Sequence, residues 1–408
     1  MAISGKTPHP ASLDIRTAKP SSVRAVNRSI MLELIRQHQP VSRADLARLT
    51  GVFRSSVSDI IDGLIQEGLV TEERNASYGR RGRTPMSLCL NDGAYPVLGL
   101  NIRPRYFQLA YAGLSGRIQK SLRFETPGSP KELVETLSAG VKQMRKELGW
   151  SESQNFQRIG VAIPGHVDTI NGRIVWVPTH TELNDFPMTD CLEQQTGITT
   201  LADNDCNLGA LSELWLTTER RRKDRSADFV FLNVSDFGTG AGAVVNGEIY
   251  RGHDGRFAAE VGHMIVEPAG LLCNCGRRGC WEMYVSNEAT WRRVHPRLSF
   301  TSEHFTEMLN AASQGDSKSV AALNETADYL SLGISNIGFV FNPSEIVLAG
   351  RITAVWDLIR SRVANGYGSP RLTFSVHPAH LSADDSLLHG AVCLALREIF
   401  AGPKFGQN

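Results

Sequence analysis

No stretch of this 408-residue chain approaches the roughly 20 consecutive apolar residues that a membrane-crossing helix needs, which excludes an integral helical membrane protein. The first 20 residues, MAISGKTPHPASLDIRTAKP, lack the apolar centre of a signal peptide and read as a disordered tail. Cysteine is scarce. Of the seven in the chain, Cys89, Cys191, Cys206 and Cys393 stand singly among apolar neighbours. That scatter excludes a disulfide framework and points to reduced thiols in a cytoplasm. Neither sign of charge prevails, with 43 Lys and Arg against 42 Asp and Glu.

The balance hides an asymmetry. Residues 1–90 hold 13 basic and 8 acidic side chains, and the remainder is mildly acidic. A basic front end on an acidic body suggests a nucleic-acid-binding module joined to something else. The length calls for two or three domains, and the expected boundaries are a tail over 1–20, a module over 21–90 and a body over 91–408.

The module reads as a winged helix-turn-helix. Val23, Val26, Ile30, Leu34 and Ile35 recur at helical spacing, ahead of Pro40. Ser42 stands three residues before Asp45, a capping pair that opens a second helix with Leu46, Ala47 and Leu49 facing inward. Gly51 makes the turn, and a third helix begins near Arg54 with Val57, Ile60, Ile61, Leu64 and Ile65 on its buried face. Ala47, Gly51 and Val57 supply the small residue, the glycine and the apolar residue that a tight helix-turn-helix needs. The start of the third helix offers Arg54, Ser55, Ser56 and Ser58 to base edges. Two short strands, 69–70 and 86–90, flank a wing whose tip carries Arg80, Arg81 and Arg83, suited to phosphates or a narrow minor groove. A three-helix protein-interaction module with a solvated basic loop would carry some of the same features.

His263, Cys273, Cys275 and Cys280 fall within eighteen residues. One imidazole and three thiols form the donor set of a closed tetrahedral zinc site. Gly276 and Gly279 let the loop fold back so that Cys280 reaches the same ion. A closed site leaves no position for an activated water, so the expected Zn2+ staples a loop. The bland alternative is three buried cysteines beside an unrelated histidine.

Beyond residue 94, strands and helices alternate. Strands are expected over 96–102, 106–112 and 117–124, a helix over 130–148, and strands over 159–163 and 229–234. A hairpin follows around Asn246-Gly247, and helices near 318–342 and 384–400 close the chain. A strand meander followed by helices, occurring twice, indicates a duplicated α/β body with a cleft between lobes.

Six stretches give this body a resemblance. They are Ile163-Pro164-Gly165-His166-Val167-Asp168, Ala202-Asp203-Asn204-Asp205-Cys206-Asn207, Phe237-Gly238-Thr239-Gly240-Ala241-Gly242, Glu260-Val261-Gly262-His263, the cysteine run ending at Glu282, and Ile346-Val347-Leu348-Ala349-Gly350. In this order they resemble the ROK family of repressors, open reading frames and sugar kinases. The resemblance implies a two-lobed actin-like fold of the duplicated ribonuclease H type, with the C-terminal helix returning to the first lobe. Together with the front module, the whole resembles the family's transcriptional repressors. The resemblance also implies a sugar pocket lined by Asn204, Asp205, Glu260, His263 and Glu282, set in glycine-rich loops. Carboxylates offer acceptors to vicinal hydroxyls, and His263 can bind metal through one ring nitrogen and a hydroxyl through the other.

Asp205 matches the general base of the family's kinases. Those kinases also hold the triphosphate on an Asp-x-Gly-Gly-Thr turn. Here the turn is Asn101-Ile102-Arg103-Pro104-Arg105. The carboxylate has become an amide, the glycines are gone, and proline removes an N–H donor, although Arg103 and Arg105 could still attract a phosphate. A Pro-Asn-Leu turn that shapes the sugar pocket in many kinases is also missing at 177–183. The expectation is therefore a cytoplasmic regulator without catalytic residues. It would bind a palindromic double-stranded operator as a homodimer or homotetramer and respond to a sugar effector. The rivals are an ATP-dependent sugar kinase with an appended DNA-binding domain, and a constitutive DNA-binding protein whose body only oligomerises.

Overall fold

In the computed structural model, residues 20–74, 86–151, 154–177, 180–216, 228–253, 255, 259–365 and 373–401 are described. The chain divides into two compact units that meet in sequence at Leu90 and Asn91, with residues from Glu398 grouped with the first.

The first unit holds α1 (Pro20–His38), α2 (Arg43–Thr50), α3 (Arg54–Gln66), β1 (Val70–Arg74) and β2 (Met86–Leu90). Ser42 and Asp45 form the expected capping box, with the Asp45 amide donating to Ser42 Oγ over 3.1 Å. Gly51 is left-handed at φ 70°, and its N–H closes α2 on the Ala47 carbonyl. Met31, Leu32, Ile35, Leu46, Val57, Ile61, Leu64 and Leu88 make a solvent-free core. The strands pair antiparallel from Val70–Leu90 to Arg74–Met86. Three expectations fail in register. Val23, Ile30 and Leu49 are exposed rather than inward, and Ile65 is only half-buried. Ile30, Met31 and Leu32 together sweep about 200° of helix, so they cannot all face one core, and Met31 and Leu32 take it. On α2, Leu46 alone is buried. The wing tip with Arg80, Arg81 and Arg83 lies outside the described residues.

The second unit repeats one plan. Its first sheet contains β3 (Val97–Ile102), β4 (Tyr106–Ala112), β5 (Ile118–Glu125), β6 (Arg158–Ile163) and β9 (Thr199–Asn204), in the order β5-β4-β3-β6-β9. The second contains β10 (Phe229–Val234), β11 (Thr239–Val245), β12 (Glu248–Ile249), β13 (Glu345–Gly350) and β14 (Ser375–Pro378), in the order β12-β11-β10-β13-β14. In each, an antiparallel meander is followed by two parallel strands. The short pair β7 (His166–Asp168) and β8 (Arg173–Trp176) stands apart.

Each sheet has its own core. Leu98, Phe107, Val161 and the helix α4 (Pro130–Glu147) fill one. Val230, Leu348, Trp281 and the helix Ser317–Phe341 fill the other. The helix Ala383–Phe400 packs Ala391 and Leu394 with Ala162 of β6 and with Leu208 of α6 (Asp205–Leu216). None of the described helices is long and apolar enough to cross a membrane.

Candidate functional site

A cavity of about 580 Å³ lies between the two sheets of the second unit. Asn204, Asp205, Glu260, His263 and Glu282 all line it, so the structure brings the five expected pocket residues together. They do not sit simply in glycine-rich loops. Asp205 is the first residue of α6, and Glu282 opens the short helix Glu282–Val285. Glu260 precedes a single 3₁₀ turn, Val261–His263, and His263 ends it. Just before it, Ala259 has φ 57°, a left-handed conformation that costs a non-glycine residue about 1–3 kcal/mol. That strain turns the chain so that Glu260 enters the cleft.

Asn204 spends much of its amide on the backbone. Its Oδ1 accepts from the Cys206 and Asn207 amides, capping α6, and its Nδ2 donates to the Gly165 carbonyl over 3.0 Å. One amide hydrogen is left for a ligand. Asp205 is buried. Its Oδ2 accepts from Arg103 Nη1 at 3.1 Å, and its Oδ1 accepts from the Cys206 amide at 2.8 Å. Burial pushes this carboxyl above its ordinary range, against the pull of Arg103. Arg103 Nε lies 3.6 Å from Asp384, whose other oxygen accepts from the Tyr106 hydroxyl at 2.6 Å. The Arg103 side chain thus lies across Asp205 on its way to Asp384.

Four residues escaped sequence reasoning. His166 Nε2 lies 3.2 Å from Glu260, and its ring packs on Trp176 with centroids 5.2 Å apart. Both rings line the cleft, and Trp176 adds an apolar face beside the carboxylates. Asp203, 1% exposed, takes Nε and Nη2 of Arg251 at 2.8 and 2.6 Å, joining β9 of one sheet to the segment after β12 of the other. His166 and Asp203 stood inside recognised motifs. Nothing local marked Trp176 or Arg251.

The candidate metal-ligating side chains also converge. The donor atoms of His263, Cys273, Cys275 and Cys280 all lie within 4.8 Å of one another. The Cys275 and Cys280 sulfurs are 3.5 Å apart, and His263 Nδ1 is 3.7 Å from Cys273 Sγ. The loop folds back as expected. Gly276 and Gly279 are left-handed, at φ 85° and 74°, and a Cβ on Gly279 would fall 1.7 Å from the Glu267 carbonyl oxygen. Buried Trp281 anchors the loop, donating to the Tyr329 carbonyl at 2.7 Å. Soft thiolates with one imidazole at this spacing suit a tetrahedral ion. Glu282 Oε1 sits 2.9 Å from Cys273 Sγ and 3.4 Å from His263 Nδ1, so the metal group abuts the cleft.

On α3, Arg54, Ser55 and Ser56 are exposed, whereas Ser58 is half-buried and its carbonyl accepts from Arg43. Arg43 also pairs with Asp62 and Glu72, bracing α2 against α3 and β1.

A two-lobed α/β body with an inter-sheet cleft, joined to a winged helical module, defines the class. Residues 97–398 match the ROK family, and residues 26–81 match the MarR family. The chain belongs to the ROK family and carries a MarR-like winged helix domain at its front. It is 28% identical to the xylose repressor of Bacillus subtilis over 354 residues, 84% of this chain and 88% of that one. It is 27% identical over 340 residues to the DNA-binding transcriptional dual regulator NagC of Escherichia coli, 81% of this chain and 82% of that one. A ROK family transcriptional regulator, homologue of the E. coli MLC protein, shares its fold with a TM-score of 0.73 at 20% identity, covering 92% of this chain and all of that one. A ROK family glucokinase from Streptomyces griseus, solved with glucose and AMPPNP, aligns with a TM-score of 0.62 at 26% identity, over 74% of this chain and 99% of that one.

Proposed function

We propose that the chain is a cytoplasmic DNA-binding transcriptional repressor whose two-lobed body binds a sugar or sugar derivative, altering operator binding without phosphoryl transfer. The observation that carries this reading is the Arg103–Asp205 ion pair. Phosphoryl transfer needs both a free base and a cradle for the triphosphate. Here a guanidinium engages the base from within the turn that would form the cradle, and Pro104 lacks the N–H a phosphate would use.

In the ligand role, Asp205, Glu260 and Glu282 would accept from sugar hydroxyls, with Asn204 donating. His263 would turn Nδ1 to the ion and leave Nε2 for a hydroxyl. A zinc ion on His263, Cys273, Cys275 and Cys280 would supply structural closure only, fixing Glu282 at the cleft wall. A ligand that prefers one lobe geometry shifts its population, and that shift is linked to DNA affinity. A homodimer or homotetramer would set two winged modules on a palindromic operator, with Arg54, Ser55, Ser56 and Ser58 over base edges and Arg80, Arg81 and Arg83 on the backbone or minor groove.

Asp205→Asn tests this reading. It replaces a charged acceptor with a neutral amide, and losing such a hydrogen bond costs about 1.5–3 kcal/mol. The sugar dose-response for operator release should weaken about 10- to 150-fold, while sugar-free operator binding stays near wild type. An unchanged dose-response in a folded variant overturns the sugar-site reading. ATP-dependent sugar phosphorylation by the wild type, at the 1–100 per second typical of kinases, overturns the non-enzymatic one.

A further inference from the structure

The start of α3 is anomalous in two ways. Its N-cap is Phe53, and no side chain caps the helix there. Ser, Thr, Asp and Asn are favoured at that position because their oxygens satisfy an orphan N–H, and apolar residues forfeit that bond. The preceding helix of the same module does carry a full capping box. Phe53 is also 83% exposed, more than any other large apolar residue among those described. Its ring neither caps the helix nor fills the core. A residue that breaks two local preferences without compensation inside the fold points to contact outside it.

The setting narrows the partner. Phe53 directly follows the turn at Gly51 and Val52, and the next three residues, Arg54, Ser55 and Ser56, are exposed polar side chains. In a helix-turn-helix this edge of the third helix enters the major groove. The module is also the basic part of the chain. Arg and Ser can hydrogen-bond to base edges, but a phenyl ring has no donor or acceptor. The apolar group on the major-groove floor is the C5-methyl of thymine. A second protein is a poorer fit, because one ring beside an arginine and two serines falls far short of the contiguous apolar patch that protein contacts use.

We infer that Phe53 is a specificity-determining residue that packs on the 5-methyl group of one thymine in each operator half-site. This rests on the DNA-binding reading above.

The test uses the full-length chain. Wild-type protein selects its operator from random duplexes, and each thymine is then replaced by deoxyuracil, which removes only the methyl. At one thymine per half-site, wild-type affinity should fall about fourfold, the equivalent of one buried methylene at about 0.8 kcal/mol. Phe53→Asn restores a capping side chain, so it should melt at or above the wild-type temperature while binding thymine and uracil duplexes equally. Phe53→Leu should keep most of the discrimination. Wild-type indifference to every thymine-to-uracil change overturns the assignment, as does the same uracil penalty in Phe53→Asn. Failure to select any duplex would instead bring down the DNA-binding reading, and this inference with it.

Discussion

The two lobes repeat one strand order, yet their first hairpin turns differ. In the first lobe the turn between β3 and β4 carries Arg103 and Pro104, and the arginine is folded inward onto Asp205 and Asp384. In the second lobe the turn between β10 and β11 carries Gly238, and Gly240 and Gly242 follow inside β11. The two strand glycines have a packing reason. A Cβ on Gly240 would fall 2.7 Å from Cys206 Sγ, and one on Gly242 would fall 2.3 Å from the Cys206 carbonyl oxygen. They let β11 close on the start of α6. The tip of this turn also carries Asp236, whose carboxylate accepts from Asn287 at 2.8 Å and from Ser302. The first turn therefore brings a paired Arg103 and an exposed Arg105 to the cleft, and the second brings a carboxylate. The side chains beside a glycine-bearing turn, not its glycines alone, set its chemistry.

This contrast is open to direct attack. The largest effect should come from Arg103→Ala. It leaves Asp205 buried without its counter-charge, and removing one partner of a buried pair costs about 3–5 kcal/mol. Urea unfolding at pH 7 would show it; a loss under 1 kcal/mol would mean the guanidinium is not what compensates the buried carboxylate.

Gly240→Ala probes the other turn. Overpacking against Cys206 should cost about 1–3 kcal/mol. Adding Cys206→Ala removes the clashing sulfur and should recover most of it. If the double variant is no better than the single one, the close approach is not the reason for the glycine.

The smallest effect concerns pH. The folded state holds the Asp205 carboxyl above its ordinary 3.8. Its contribution to stability is therefore full below pH 3.8 and declines as the pH rises through the folded value. Asp205→Asn lacks that decline. Thermal melts in parallel from about pH 4 to 7 should show the gap between variant and wild type moving in the variant's favour with rising pH. A constant gap would contradict the buried, desolvated carboxylate.

Much of this was legible in sequence because its physics is local. The Ser42–Asp45 cap, the left-handed Gly51, the Asn246-Gly247 hairpin turn and the cluster of Cys273, Cys275 and Cys280 each declare themselves within a few residues. The pocket residues were legible through motif order. The partnerships were not. Arg103 meets Asp205 across 102 residues of chain, and Arg251 meets Asp203 across 48. Such pairs exist only once the strand order has set which loops share an end of the sheets. The expectation that Asn204 serves the ligand missed its second task for the same reason, since a helix cap is visible only when the helix start is known. Val23, Ile30 and Leu49 were misassigned because apolar character alone cannot rank residues competing for one narrow stripe.

The Asp203–Arg251 pair has a mechanical consequence. Its carboxylate is sealed from water and tied to the opposite sheet within one residue of Asn204 at the cleft. Its Oδ1 is held as well, by the Asn204 amide and by Asn207 Nδ2. Any rearrangement that parted Arg251 from it would leave a buried charge without its counter-charge, a penalty of several kcal/mol. The pair therefore acts as a rivet between the two sheets, set one residue away from the cleft wall.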